Sequence, residues 1–165
     1  MRILTNRKII FFLLAAATAA VITPIVYSHC QIPCGIYNDP MRFDMIAEHI
    51  TTIEKSMNMI NQISAESKPN MNQLVRWIDN KDAHADELSE IITYYFMAQR
   101  IEPSEKTDAQ AYEKYLTKLT LLHKMLVSSM KAKQTIDLTI TRQLTELLAD
   151  FKKAYYEGSE QKHEH

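Results

Sequence analysis

The chain has 165 residues, 46% hydrophobic and 24% charged, with a formal net charge of −1, so it is long enough for one cored domain and is not composed like a disordered segment. Only two glycines occur among abundant Leu, Ile, Met, Ala, Glu, Gln and Lys, which favours helices over a turn-rich β architecture. The slightly acidic balance, with no Lys/Arg-rich run interleaved with aromatics, excludes nucleic acid as a partner.

Residues 1–28 differ from the rest. MRILTNRK carries Arg2, Arg7 and Lys8, IIFFLLAAATAAVI follows without a charge, and Val26-Tyr27-Ser28 ends the stretch on a small residue. A basic start, a short apolar run and a small exit form the layout of a secretory signal. This predicts export to a periplasmic, lumenal or extracellular space, with cleavage after Ser28 leaving His29 as the new N-terminus. The competing reading is an uncleaved anchor, because the apolar run from Ile9 to Tyr27 approaches the roughly 20 residues of a spanning helix. Membrane contact is expected only through this leader. Its removal takes three cations and no acid, lowering the formal charge to −4.

The next nine residues, HCQIPCGIY, hold both cysteines of the chain. In an oxidising compartment, Cys30 and Cys34 would by default close a small disulfide loop. Three neighbours argue otherwise: His29 directly before the first cysteine, Pro33 stiffening the turn, and Gly35 releasing the backbone after it. Once His29 is terminal, a short hook offers an amine, an imidazole, the Cys30 amide nitrogen and two thiolates. Amine, amide and the two sulfurs suit a square-planar site, which points to Ni(II) or Cu(II); zinc prefers a tetrahedral cage.

Four periodic segments follow. Ile46, Ile50, Ile53, Met57, Ile60 and Ile63 mark a helix over about 40–65, with Asp39 before Pro40 as its start signal. Leu74, Trp77/Ile78, Ala85, Leu88, Ile91/Ile92 and Tyr95/Phe96 mark a second over about 71–100. Tyr112, Tyr115/Leu116, Leu119, Leu122, Leu126 and Met130 mark a third over about 105–131. Ile136, Ile140, Leu144, Leu147, Phe151 and Ala154 mark a fourth over about 135–157, with Gly158 as a stop. The expected fold is all-α, an up-and-down four-helix bundle over 40–158, preceded by a cleavable leader (1–28) and a metal-binding hook (29–39) and followed by a polar tail (159–165).

The helices themselves read as scaffold. None carries the Glu-x-x-His spacing of a di-iron bundle, no Cys-x-x-Cys-His is present for haem, and no glycine-rich elbow exposes a serine. His49, His84 and His123 stand singly and read as surface or hydrogen-bonded histidines. Met57, Met59, Met71, Met125 and Met130 read as core filler. Asp82, Asp86, Glu87 and Glu90 read as a solvated face.

HCQIPCGIY closely resembles the nickel-hook motif of the nickel superoxide dismutases, His-Cys-x-x-Pro-Cys-Gly-x-Tyr, matching all six fixed residues. The resemblance implies nickel, one ion per chain, held by His29 through amine and imidazole, by Cys30 through sulfur and amide nitrogen, and by Cys34. It implies superoxide as substrate, disproportionated to dioxygen and hydrogen peroxide by Ni(III)/Ni(II) cycling, and assembly as a homohexamer. Tyr37 matches the motif tyrosine over the open metal face, and Tyr95 in Tyr95-Phe96 matches the family's second tyrosine. Many members have an acid after the first cysteine, paired to a lysine of a neighbouring subunit; here Gln31 stands there, and Lys133 is where that lysine would fall. Asn38-Asp39 shifts the register by one residue, leaving the family's carboxylate–arginine support for the axial imidazole without an assigned counterpart. The reading from a different class is an exported metal-binding or structural bundle with a Cys30–Cys34 disulfide and no turnover.

Overall fold

The computed structural model describes residues 35–157. The leader, the hook residues His29, Cys30 and Cys34, Gly158 and the polar tail lie outside the described residues. Those described form four helices and no strand: α1 (Asp39–Ser64), α2 (Met71–Glu90) running on as a π-helical segment (Ile91–Arg100), α3 (Ala109–Gln134) and α4 (Thr139–Tyr156). Helices adjacent in sequence pack on each other and α4 closes against α1, the arrangement of an up-and-down bundle. Among the described residues no helix is long and apolar enough to cross a membrane.

Short polar side chains start the helices. Asn70 accepts from the Gln73 N–H at 3.2 Å, and Asp108 from the Ala111 N–H at 3.0 Å. At α1 the cap is Asn38, which accepts from the Met41 N–H at 3.1 Å, and not Asp39 as expected. Released from capping, Asp39 turns its carboxylate to other helices. α3 begins four residues later than periodicity suggests because Asp108 caps there, and α4 begins at Thr139 because Asp137 accepts both the N–H and the hydroxyl of Thr139.

The predicted stripe of α1 is the core: Ile46, Ile50, Ile53, Met57, Ile60 and Ile63 are all buried. At one end Phe43, Phe96 and Phe151, from α1, the π segment and α4, form a fully buried triangle with ring centroids 4.9–5.5 Å apart. Toward the other end Lys81 is buried to 3% exposure and donates to the Ala132 and Lys133 carbonyls and to Asp82. Its ammonium thereby satisfies carbonyls that the last turn of α3 leaves unpaired.

Two expectations change here. Met71 and Met130 are not core filler but stand 62% and 52% exposed. α3 packs through Met125, Ser128, Ser129 and Ala132, whose small members let it approach α2 closely enough for the Ser129 hydroxyl to donate to the Ala85 carbonyl at 2.6 Å. That rotates Met130 outward. The first half of α2 likewise leaves Val75 and Ile78 exposed, because the face it buries begins only at Lys81.

Candidate functional site

Gly35 has φ +75°, a conformation L side chains rarely adopt, and its missing Cβ would have met nothing within 4 Å. The backbone conformation, not space, therefore asks for glycine here. Two residues on, Tyr37 lies 42% exposed, with its ring edge-on to Tyr95 at 6.0 Å between centroids. The two tyrosines expected from the sequence, one before α1 and one late in the second helix, are thus in contact. Tyr95 is 3% exposed.

Beneath them sits Asp39, whose carboxylate takes four hydrogen bonds. Oδ1 accepts from the Tyr95 hydroxyl at 2.6 Å and from Arg100 Nε at 2.9 Å; Oδ2 accepts from Arg100 Nη2 at 2.7 Å and from the Tyr155 hydroxyl at 2.7 Å. Four donors fill the lone-pair sites a carboxylate offers. Burial works to raise the Asp39 pKa, and the donors, led by Arg100, outweigh it, so the carboxyl lies below its ordinary value. Burial and the Asp39 carboxylate together push Tyr95 up to about 12, and Tyr155 is raised for the same reasons.

The π segment makes this convergence possible. Tyr95 and Arg100 are five residues apart, which in an α-helix would turn them about 140° from each other. Here the Ile101 N–H donates to the Phe96 carbonyl, five residues back, at 3.0 Å. The wider turn brings Tyr95 and Arg100 to the same carboxylate. The guanidinium of Arg100 also lies over the Tyr37 ring, 4.3 Å from its centroid.

A second arginine, Arg42, lies over the Tyr95 ring at 5.0 Å and donates to Met45 Sδ at 3.4 Å, and its buried Nε has no hydrogen-bond partner. Among the described residues it forms no ion pair within 4 Å. Arg42 opens onto a cleft of about 430 Å³ lined also by His49, Glu87, Glu90, Tyr94 and Tyr95.

The helical histidines are not all single. His49 on α1 and His84 on α2 meet with Nδ1 atoms 2.8 Å apart, and Glu87 Oε2 stands 3.3 Å from each. Burial lowers the His49 pKa, against the opposing pull of Glu87. His123 stays exposed. Nor is the acidic face merely solvated: Asp86 accepts two bonds of 2.7 Å from Lys133, the lysine considered for Gln31.

Sequence reasoning reached Tyr37 and Tyr95 but missed Asp39, Arg42, Arg100 and Tyr155 around them. Only Asp39 carried a signal, because Asn38 before it could take the cap. The donors expected to hold a metal, His29, Cys30 and Cys34, lie outside the described residues. Were His29 the N-terminus, their chemistry would fit nickel: an amine, a deprotonated amide and two thiolates are the strongly donating ligands a tetragonal site uses.

A family model described as nickel-containing superoxide dismutase matches residues 24–159, a span that includes all of HCQIPCGIY and the four helices. No curated protein and no solved structure matches the chain.

Proposed function

The chain belongs to the nickel-containing superoxide dismutase family, an oxidoreductase family, and on that premise we propose that it disproportionates superoxide to dioxygen and hydrogen peroxide. The observation that carries the proposal is a family match that takes in the complete donor motif. His29 would hold nickel through its terminal amine and imidazole, Cys30 through its amide nitrogen and thiolate, and Cys34 through its thiolate. When bound, nickel supplies the one-electron chemistry, alternating between Ni(III) and Ni(II).

The rest falls to the protein. Only Gly35 and Ile36 separate Cys34 from Tyr37, so chain connectivity keeps the Cα atoms of Cys34 and Tyr37 within about 11 Å of each other. Tyr37 and Tyr95 narrow the approach to the metal. Arg42, rather than a lysine, provides local positive charge over the Tyr95 ring on a mature chain that is acidic overall, and so attracts the superoxide anion, whereas the charge of Arg100 is offset by Asp39. Asp39 holds the Tyr95 proton, so Tyr95 acts as a fixed neutral wall; the protons for peroxide come by way of water, the Tyr37 hydroxyl or the N–H groups of the hook.

The leader supports export, and processing after Ser28 frees the His29 amine that the metal requires. Exposed Ile36 and Tyr37 support an assembly in which neighbouring subunits cover the hook, which we take to be a homohexamer. Intact-mass spectrometry with metal analysis and a superoxide assay, on protein from its native compartment, tests the whole reading. The expected result is a chain starting at His29 with one nickel, whose turnover is lost in Cys30→Ser. A Cys30–Cys34 disulfide without metal or turnover would leave an exported structural bundle.

A further inference from the structure

We infer that His49, His84 and Glu87 form a second metal site, separate from the hook, that takes one divalent transition-metal ion of the zinc type. His84 and Glu87 are three residues apart on α2 and so share a face, and His49 reaches them across the α1–α2 contact. Three donor atoms converge: His49 Nδ1 to His84 Nδ1 at 2.8 Å, and Glu87 Oε2 to each Nδ1 at 3.3 Å. Donors on one face of a tetrahedral site with bonds of about 2.0–2.1 Å stand about 3.3 Å apart, and on an octahedral face about 3 Å. The two edges to Glu87 have the tetrahedral spacing and the edge between the histidines is nearer the octahedral one.

Protons alone serve this arrangement poorly. One proton can bridge the two Nδ1 atoms, but the accepting nitrogen then has no proton to give the Glu87 oxygen 3.3 Å away, which itself only accepts. A cation bound on the same three atoms takes the single lone pair of each Nδ1 and one of Glu87 Oε2 at once. Two imidazoles and a carboxylate also form the donor set that zinc and its first-row neighbours accept while keeping further positions for water. Access exists, because Glu87 is 55% and His84 27% exposed while His49, at 12%, forms the floor. Two carboxylates, Glu87 and Glu90, line the cleft alongside and favour a cation there, although Arg42 stands at the same cleft beside Tyr95.

The ion would clip α1 to α2 through groups that make no use of the thiolates, so the site stands or falls independently of the dismutase reading. The test is calorimetric titration of Zn²⁺ into the full-length Cys30→Ser/Cys34→Ser variant, then into the same background with His84→Gln or Glu87→Gln. The expected result is one Zn²⁺ per chain, a zinc-dependent rise in the unfolding temperature, and at least about a 10-fold weaker affinity in each further variant, the lower end of what even supporting residues cost. Glu87→Gln is at an exposed position, so it reports on binding even if His84→Gln fails to fold. Loss of zinc binding in the cysteine variant, or unchanged affinity in Glu87→Gln, would overturn the site. Nickel content and turnover of the unmodified chain are measured separately, so a failure here is distinguishable from a failure of the hook.

Discussion

The hydroxyl of Tyr95 donates to Asp39 across 2.6 Å and ties the π-helical segment to the first residue of α1. With its pKa pushed up to about 12, the phenol stays neutral through the working range. The pH profile of turnover in Tyr95→Phe should therefore keep the wild-type shape between about pH 6 and 10, with stability lower by about 1 kcal/mol for the lost bond. A wild-type inflection near pH 10 that vanishes in Tyr95→Phe would make the phenol a proton source after all.

Asp39→Asn removes the charge that Arg100, Tyr95 and Tyr155 converge on. At pH 7 we expect urea unfolding to show a loss of about 2–3 kcal/mol. Because the folded pKa of Asp39 lies below its ordinary value near 4, the stabilisation is complete above that pH and fades as pH falls through the lower folded value. The gap between wild type and variant should narrow below about pH 4. A gap that stays constant into acid would mean the variant suffers from shape, not charge.

Arg42→Gln tests steering. The ratio kcat/KM for superoxide should fall severalfold at low ionic strength, and the deficit should shrink as salt screens the field over about 10 Å. Arg42→Lys should recover most of it. Equal loss at every salt concentration would assign Arg42 to packing against Tyr95.

Lys81→Met keeps the apolar stem and removes three hydrogen bonds, to Asp82, Ala132 and Lys133. Two of these acceptors are carbonyls near the end of α3. A loss of about 2–4 kcal/mol with an unchanged urea m-value is expected. A loss below about 0.5 kcal/mol would show that water replaces the ammonium.

What the sequence disclosed follows a physical division. The hook donors lie within six contiguous residues, so their spacing needs no tertiary information. The α1 stripe from Ile46 to Ile63 was readable because one strong periodicity had a single solution. The start of α1 was readable to within a residue, but its cap fell to Asn38 because two short polar residues, Asn38 and Asp39, competed for it. The α3 face slipped because Ser128, Ser129 and Ala132 bury by smallness, which apolar counting does not register. The change to π-helix after Glu90 has no local signature, so the meeting of Tyr95 and Arg100 at Asp39 was hidden. His49 and His84 stayed apart on paper because their contact depends on how α1 and α2 are rotated against each other. The cleavage after Ser28 and the metal set His29, Cys30 and Cys34 rest on sequence alone.

Asp39 is held by Arg100 at the end of the second helix and by Tyr155 one residue before the end of α4. Synthesis runs from the N-terminus, so the last of these anchors is made 116 residues after the carboxylate it binds. The seat under Tyr37 is thus finished only once α4 has been made. A polypeptide cut short before α4 would carry the complete nickel-binding motif on an unfinished base, so the motif at one end of the bundle depends on a helix made more than a hundred residues later.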